Sequence, residues 1–478
     1  MSIHIAVDIG SSAVKMVAAR VQPGGPVFCD EIYRFITPQR RTDNLLCWDL
    51  PLLLEQIKIG IGRAVAAFGP VDSIGFDSFG VDYVLLDEKG ECCAPCISYR
   101  DKSHLAMAEI SKTELCRLFA MTGGYFPIIG SIHRLRHQLR VSPLLHRRIN
   151  SVLTLADYVA WCFSGRLCIE RSGASTLLLL DTRNGTWSLP ALAYAGLTIE
   201  QMPPLVDPGD VLGTLRPELA AQPGLAATLV VAPCSHDTGN ITASCFRLSD
   251  EPQWFLSCGS WALYGIEHDR AQMGDDAFAA GLTNECAASH RVQTLYNLPG
   301  MWPVQRLKVE LAPNEQDAVL IGRANQSTYR AAIDFSDEHL LSGDNFRYEV
   351  DQQCRRQCVP LPAGVDDYIR LALNSLCDGV ARAAKALRSI TGYPLTPLLL
   401  VGGGSRSDWL TQQLANFLQQ PVARGAGDAT SLGNLYYQLR GCYGTAFDFP
   451  PPAAVTLFQP SGAEAESFGL SRESFNER

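Results

Sequence analysis

Ile3-His4-Ile5-Ala6-Val7-Asp8-Ile9-Gly10-Ser11-Ser12-Ala13-Val14-Lys15-Met16-Val17-Ala18-Ala19 opens the chain. An apolar run, a polar tip over Asp8 to Ser12 and a second apolar run predict a β-hairpin. The tip gathers a carboxylate, a close-approach glycine and two hydroxyls, with Lys15 adding positive charge. That set suits Mg²⁺ and phosphate oxygens, although Asp, Gly and Ser are also ordinary turn residues. The pattern returns over Trp254–Ser257, Cys258-Gly259-Ser260 and Trp261–Ile266, as two apolar runs about a small Gly/Ser turn. This weak repeat predicts that each half of the chain opens with the same phosphate-facing hairpin.

A chain of 478 residues is too long for one ordinary core, and two lobes are expected. Polar Ser249, Asp250, Glu251 and Pro252 interrupt the pattern, so the division is placed in Phe246–Gln253, giving lobes 1–247 and 248–478. Apolar residues make up 47% and charged residues 19%, the composition of a globular protein rather than a disordered one. A net charge of −9 argues against an extended nucleic-acid surface. The sequence has no apolar stretch long enough to span a membrane and no signal-like leader, so a cytoplasmic protein is expected. The 16 cysteines are scattered, and most are expected to be buried reduced thiols. Cys92-Cys93-Ala94-Pro95-Cys96 and the pair Cys354/Cys358 are the clusters that could carry redox or zinc chemistry, but no second strong pair completes a four-ligand site.

Working outward, Leu50–Phe68 has helical spacing and stops at Gly69-Pro70, and Ser73–Asp77 and Tyr83–Leu86 read as strands. The middle, from about Lys102 to Trp187, reads as mostly helical, with the eight His or Arg residues in His133–Arg148 expected on a solvated helix face. Ile369, Leu373, Leu376, Val380, Ala383, Leu387 and Ile390 predict one long packed helix. It is followed by a buried strand, Leu398–Val401, and by Gly402-Gly403-Gly404 leading into another helix near Ser405–Asp408.

Glycines before a helix N-terminus free backbone N–H groups for a planar or anionic ligand, which makes Gly402–Gly404 a nucleotide-site candidate or else a tight turn. Ser235-His236-Asp237-Thr238-Gly239 follows a buried strand and leads into a helix. Asp237 is there either a helix cap or a general base that accepts the proton of an attacking hydroxyl. Gly80-Val81-Asp82, between two strands, and Arg100-Asp101 either read sugar hydroxyls or form a surface turn and a local ion pair.

In order, these motifs resemble the FGGY family of carbohydrate kinases, and within it the rhamnulokinase pattern most closely. The resemblance rests on Val7–Ser12, Asp77–Asp87, Tyr99-Arg100-Asp101, Ser235–Thr238, Ser257-Cys258-Gly259-Ser260-Trp261, Leu282-Thr283-Asn284-Glu285, Val401–Gly404 and Ala429-Thr430-Ser431-Leu432-Gly433-Asn434. It implies an α/β fold of two ribonuclease H-like, actin-type lobes around a central cleft. It also implies ATP-dependent phosphorylation of the 1-hydroxyl of a ketose such as L-rhamnulose, with L-fuculose, xylulose or ribulose as alternatives. By resemblance Asp237 is the base, Gly80, Asp82, His236, Thr238 and Asn297 face the sugar, and the first lobe is the sugar-binding one. Ser11, Ser12, Lys15, Ser260, Gln305, Gly402 and Gly403 line ATP, Asp8 is near Mg²⁺, and the second lobe is the nucleotide-binding one.

This chain departs from the family pattern at Ser260 in place of Thr, Ala13 in place of a hydroxyl residue, Phe79 in place of Trp, and Asp101-Lys102-Ser103 in place of Asp-x-Arg. Two other classes compete. A sugar or nucleotide sensor has no need of a base at Asp237, and an actin-type ATPase would lack the His236-Asp237-Thr238 constellation.

Overall fold

In the computed structural model, which describes all residues except 23–26, 102, 104–109, 128, 244–247, 249–251, 338–339, 341–344, 445–455 and 462–478, the opening hairpin forms over the stretch expected. Lys102, most of the expected boundary segment and the polar tail from 462 onward lie outside the described residues. Strand β1 (Ser2–Ile9) pairs antiparallel with β2 (Ala13–Val21), which pairs with β3 (Val27–Ile36). The strand Ser73–Ser78 then joins β1 in parallel, Leu229–Val231 joins Ser73–Ser78 in parallel, and Val211–Thr214 adds an antiparallel strand outside. All six residues of Ser73–Ser78 are buried, as a strand covered on both faces requires.

The helix between β3 and this parallel strand, Leu50–Phe68, starts where the Asp49 side chain accepts from the Leu52 amide and ends at Gly69. It buries Leu53, Ile57, Ile61 and Ala64 on one stripe. The segment expected to be mostly helical holds the helices Lys112–Thr122, Ser131–Val141 and Leu155–Ser164, but it also supplies the strand Ser151–Thr154, which pairs with Tyr83–Leu86. Tyr83–Leu86 is fully buried and needs a partner for its backbone groups, which a purely helical segment could not give.

A second sheet repeats the order. It contains Val292–Pro299, Trp261–His268, Gln253–Cys258, Leu398–Val401, Val422–Arg424 and Thr456–Phe458 as successive neighbours. Gln253–Cys258, Leu398–Val401 and Val422–Arg424 run parallel, and Thr456–Phe458 is antiparallel on the outside. The predicted long helix spans Val365–Thr391 and stops at Gly392 in the left-handed conformation. The weak repeat is therefore a repeat of topology: antiparallel hairpin, third strand, helix, and two parallel strands.

The chain forms two compact units. The first is Met1–Arg247, Glu267–Thr294 and Ala429–Pro451; the second is Leu248–Ile266, Leu295–Asp428 and Pro452–Arg478. The last helix of the first unit, Ala429–Tyr443, passes so close to the short helix Asp237–Ile241 that any side chain at Gly433 would fall 1.9 Å from the Asn240 carbonyl oxygen. Among the described residues no helix is long and apolar enough to cross a membrane.

Candidate functional site

In the first unit, strand register decides which side chains meet. Lys15 on β2 stands opposite Asp8 on β1, and Asp77 stands opposite Asp8 on the parallel strand. Lys15 Nζ lies 3.5 Å from Asp8 Oδ2. Asp77 is wholly buried; Asn434 Nδ2 donates to its Oδ2 at 2.5 Å, while its Oδ1 has no hydrogen-bond partner. Burial raises the Asp8 carboxyl to about 6, with Lys15 pulling it down and Asp237 pushing it further up. Burial also holds Asp77 well above the ordinary carboxylate range, and the Asp8 charge adds to this. The tip is held by Thr37, whose hydroxyl donates to the Gly10 carbonyl and whose amide donates to the Ser12 carbonyl.

The segment after Leu229–Val231 runs beside the end of Ser73–Ser78, where the Ser78 amide donates to the Ser235 carbonyl. Three buried side chains pin it. Glu170 accepts from the Ser235 amide at 2.7 Å, Ser172 Oγ accepts from the His236 amide at 3.1 Å, and Asp157 accepts from the Ser235 hydroxyl at 3.3 Å. Asp237 is the first residue of the helix Asp237–Ile241, directly after the N-cap residue His236. Its carboxylate accepts from the Thr238 hydroxyl at 3.2 Å and lies 3.3 Å from His236 Nε2. On its other side His236 Nδ1 lies 3.0 Å from Glu285 Oε2. Burial works against a charged imidazole, but Glu285 and then Asp237 overcome it and raise His236 to about 9. Asp237 itself is raised by burial, with His236 opposing. The imidazolium is thus held between two carboxylates, one of which, Asp237, is one-third exposed.

Gly80-Val81-Asp82 forms a strained corner. Val81, a β-branched residue, has φ 68°, a conformation that persists only when its surroundings impose it. Its amide donates to Thr176 Oγ1, and its carbonyl accepts from Ser131 and Arg134. A side chain at Gly80 would run into Thr176. Asp82 is buried and fully engaged, accepting from Arg134 Nη2 at 2.6 Å, Trp48 Nε1 at 2.6 Å and the Tyr99 amide at 3.1 Å. Its carboxylate therefore holds the corner together. The His133–Arg148 run is not simply a solvated face: His133 and Arg134 are buried, because Asp82 supplies the partner that a buried guanidinium needs. Phe79 packs between Trp48 and Tyr99. Asp101 accepts from the Leu46 and Ser103 amides, so it supports backbone.

The second unit builds its site from the equivalent ends. Ser257 pairs with Val401 across parallel strands, which brings the Gly259-Ser260 turn and the Gly402–Gly404 turn together. Gly402 has φ 83°, and a Cβ there would meet the Cys258 carbonyl oxygen at 2.9 Å, so the position demands glycine. The Ser260 carbonyl accepts from the Gly300 and Trp302 amides, and the Gly259 carbonyl accepts from Met301. The helix Trp302–Leu311 starts there and carries Gln305, which is exposed. Asn297 is exposed near the end of Val292–Pro299. Gly403 opens a 3₁₀ turn, Gly403–Arg406, ahead of the helix Asp408–Leu418.

Residues 3–243 match the model of the N-terminal domain of the FGGY family of carbohydrate kinases, and residues 255–442 match that of its C-terminal domain. The chain belongs to the FGGY family of carbohydrate kinases. It is an ATP-dependent sugar phosphotransferase with the two ribonuclease H-like lobes of that family. Over 439 residues it is 30% identical to a rhamnulokinase of Klebsiella pneumoniae, covering 91% of this chain and 88% of the relative. It is 29% identical to the Bacillus subtilis rhamnulokinase, covering 91% and 90%. The fold is similar to a ligand-bound xylulose kinase from Lactobacillus acidophilus, with TM-score 0.75, 15% identity, and 96% and 94% of the two chains covered. It is similar to a Plasmodium falciparum glycerol kinase with ADP at TM-score 0.75 and 12% identity, covering 97% and 95%.

The sequence reading gave no role to Asp77, Glu285, Asn434 or Arg134. A signal existed for Glu285, as the third consecutive polar residue in a strand that is buried throughout. Asp77 likewise is an acid near the end of a strand with no exposed position. The Cys93 and Cys96 thiols donate to the Leu85 and Tyr83 carbonyls, and Cys354 and Cys358 are both free.

Proposed function

We propose that this enzyme phosphorylates the 1-hydroxyl of a ketose, L-rhamnulose foremost, with Asp237 as the proton acceptor. The observation that carries the reading is the setting of Asp237: part-exposed at a helix start, 3.3 Å from His236 Nε2 and accepting from the Thr238 hydroxyl. The substrate class is supported by relatives named rhamnulokinase over nine-tenths of the chain. In this reading the sugar oxygen forms a bond to the γ-phosphorus as the bond from that phosphorus to the β–γ bridging oxygen breaks. ADP leaves with the electron pair, and the hydroxyl proton passes to Asp237.

His236, Thr238, Gly80 and Asn297 orient the sugar, and Asp82 does so by holding the Gly80 corner. Ser11, Ser12, Lys15, Ser260, Gln305, Gly402 and Gly403 take the nucleotide. For Mg²⁺ the residues fit a lightly held ion. Among the described residues no group of three or more His, Cys, Asp or Glu could hold a metal, whereas Asp8 beside the unpartnered Asp77 Oδ1 offers the one or two carboxylates that Mg²⁺ takes when phosphates and water complete its shell. Bound there, it would neutralise charge on the phosphates. In this reading lobe 1–247 carries the sugar and the base, lobe 248–478 carries the nucleotide, and the enzyme works in the cytoplasm.

The test is ADP release from Mg·ATP with L-rhamnulose, L-fuculose, L- and D-xylulose, D-ribulose and D-fructose, repeated with Asp237→Asn. A single preferred ketose and a fall in kcat of about 10³-fold with ATP binding retained are expected. Preference for another ketose replaces the substrate, and unchanged turnover removes Asp237 from the mechanism.

A further inference from the structure

We infer that Arg100 binds the γ-phosphoryl group during transfer, a role that rests on the reading of the first hairpin as the phosphate-facing tip. Arg100 is exposed, and its Nη2 donates to Ser11 Oγ at 2.8 Å and Ser12 Oγ at 3.1 Å, the two hydroxyls of the tip. Its Nε donates to the Tyr99 hydroxyl at 3.3 Å, and the guanidinium lies 5.6 Å from the Tyr99 ring centre.

The backbone on either side is fixed. The Tyr99 amide donates to Asp82, the Arg100 amide to Ser98 Oγ, and the Asp101 amide to the Ser98 carbonyl. Among the described residues the guanidinium itself rests on neutral hydroxyls and a ring. Among the described residues no carboxylate pairs with it, and Nη1 has no partner. The neighbouring Asp101 carboxylate accepts from the Leu46 and Ser103 amides instead.

The other cation at this tip, Lys15, is engaged by Asp8. Arg100 is thus a guanidinium with no counter-charge among the described residues, laid across two serines that are themselves suited to phosphate oxygens. A guanidinium fork matches two phosphoryl oxygens at once and is most effective on the charge those oxygens carry while the phosphorus is between donor and acceptor. The bonds made and broken are those of the transfer already described, and Arg100 takes no proton.

The experiment compares the wild type with Arg100→Ala and Arg100→Lys. Turnover is measured with Mg·ATP and the ketose the wild type prefers, and calorimetry gives affinities for Mg·ADP and for the non-hydrolysable analogue Mg·AMP-PNP. Arg100→Ala is expected to lower kcat by about 10²-fold or more. It should also bring analogue and ADP affinities to parity while ADP binding stays within about threefold, and Arg100→Lys, which keeps the charge but not the fork, should regain part of the loss. A kcat within about threefold of wild type, or equal weakening of ADP and analogue, overturns the assignment. Because Arg100 is exposed, the variants fold, as melting curves will verify. Wild-type protein inactive on every ketose would sink the proposed function instead, and the ratio of analogue to ADP affinity would still judge Arg100.

Discussion

The two hairpins share a plan and differ in charge. In each, two antiparallel strands turn over a glycine and serine tip, and the chain following the third strand donates amides to that tip: Thr37 to Ser12 in the first unit, Gly300 and Trp302 to Ser260 in the second. The first tip is flanked by Asp8 and Lys15 on opposed strands, with Asp77 on the next. The second has no ionisable side chain in Ser257–Trp261 other than the buried Cys258 thiol, and its neighbouring parallel strand ends in Gly402 pressed on the Cys258 backbone. One scaffold thus serves two purposes. On the proposed function the first hairpin would place charge where a proton and phosphates are handled, and the second would clear space for a flat ligand to approach backbone.

Substitutions should separate these purposes. The largest effect is expected from Asp8→Asn, which removes the charge but keeps the shape of the first tip and should lower kcat by about 10²-fold or more; a loss below threefold would erase the contrast. Next comes Arg134→Met, outside both tips. It leaves Asp82 as a buried carboxylate short of its cation, which is expected to cost about 3–5 kcal/mol of stability in denaturant titrations.

A smaller but more diagnostic change is Lys15→Met. With the Asp8 carboxyl at about 6, activity should decline as pH falls through that region. Lys15 holds the ionised form, so its removal should carry the acid limb of the kcat profile to higher pH; a limb that stays or moves down would show that Asp8 is not the group titrating. Ser260→Ala should be the mildest, with KM for ATP raised by tenfold or less and the pH profile unmoved, since nothing at the second tip titrates in that range. A shifted profile would mean the two tips are less distinct than their sequences suggest.

The hairpins, the helix Val365–Thr391 and the glycine turns were legible because their signals are local: alternation, three-four spacing, and glycine where φ is positive. The pairings that make the site were not. Asn434 reaches Asp77 across 357 positions, and Glu285 meets His236 only because a strand from elsewhere in the chain runs beside that segment. Nothing in either neighbourhood encodes the partner. Arg134 was misjudged for a related reason: a charged residue on an amphipathic helix reads as solvated until the carboxylate that receives it, Asp82, is placed beside it. Asp237 was left between cap and base by sequence; the structure adds the neighbours that no local pattern names, His236 beside it and Glu285 behind that imidazole.

The helix Ala429–Tyr443 has a consequence for how the protein is born. It is counted with the first unit, seats Gly433 on the Asn240 backbone and brings Asn434 to Asp77. A ribosome that has released residues 1–247 has therefore made a unit still missing its closing helix, with the Asp77 carboxylate lacking its Asn434 partner. Domains ordinarily fold in the order they emerge; here the first unit cannot be finished until nearly all of the second has been translated.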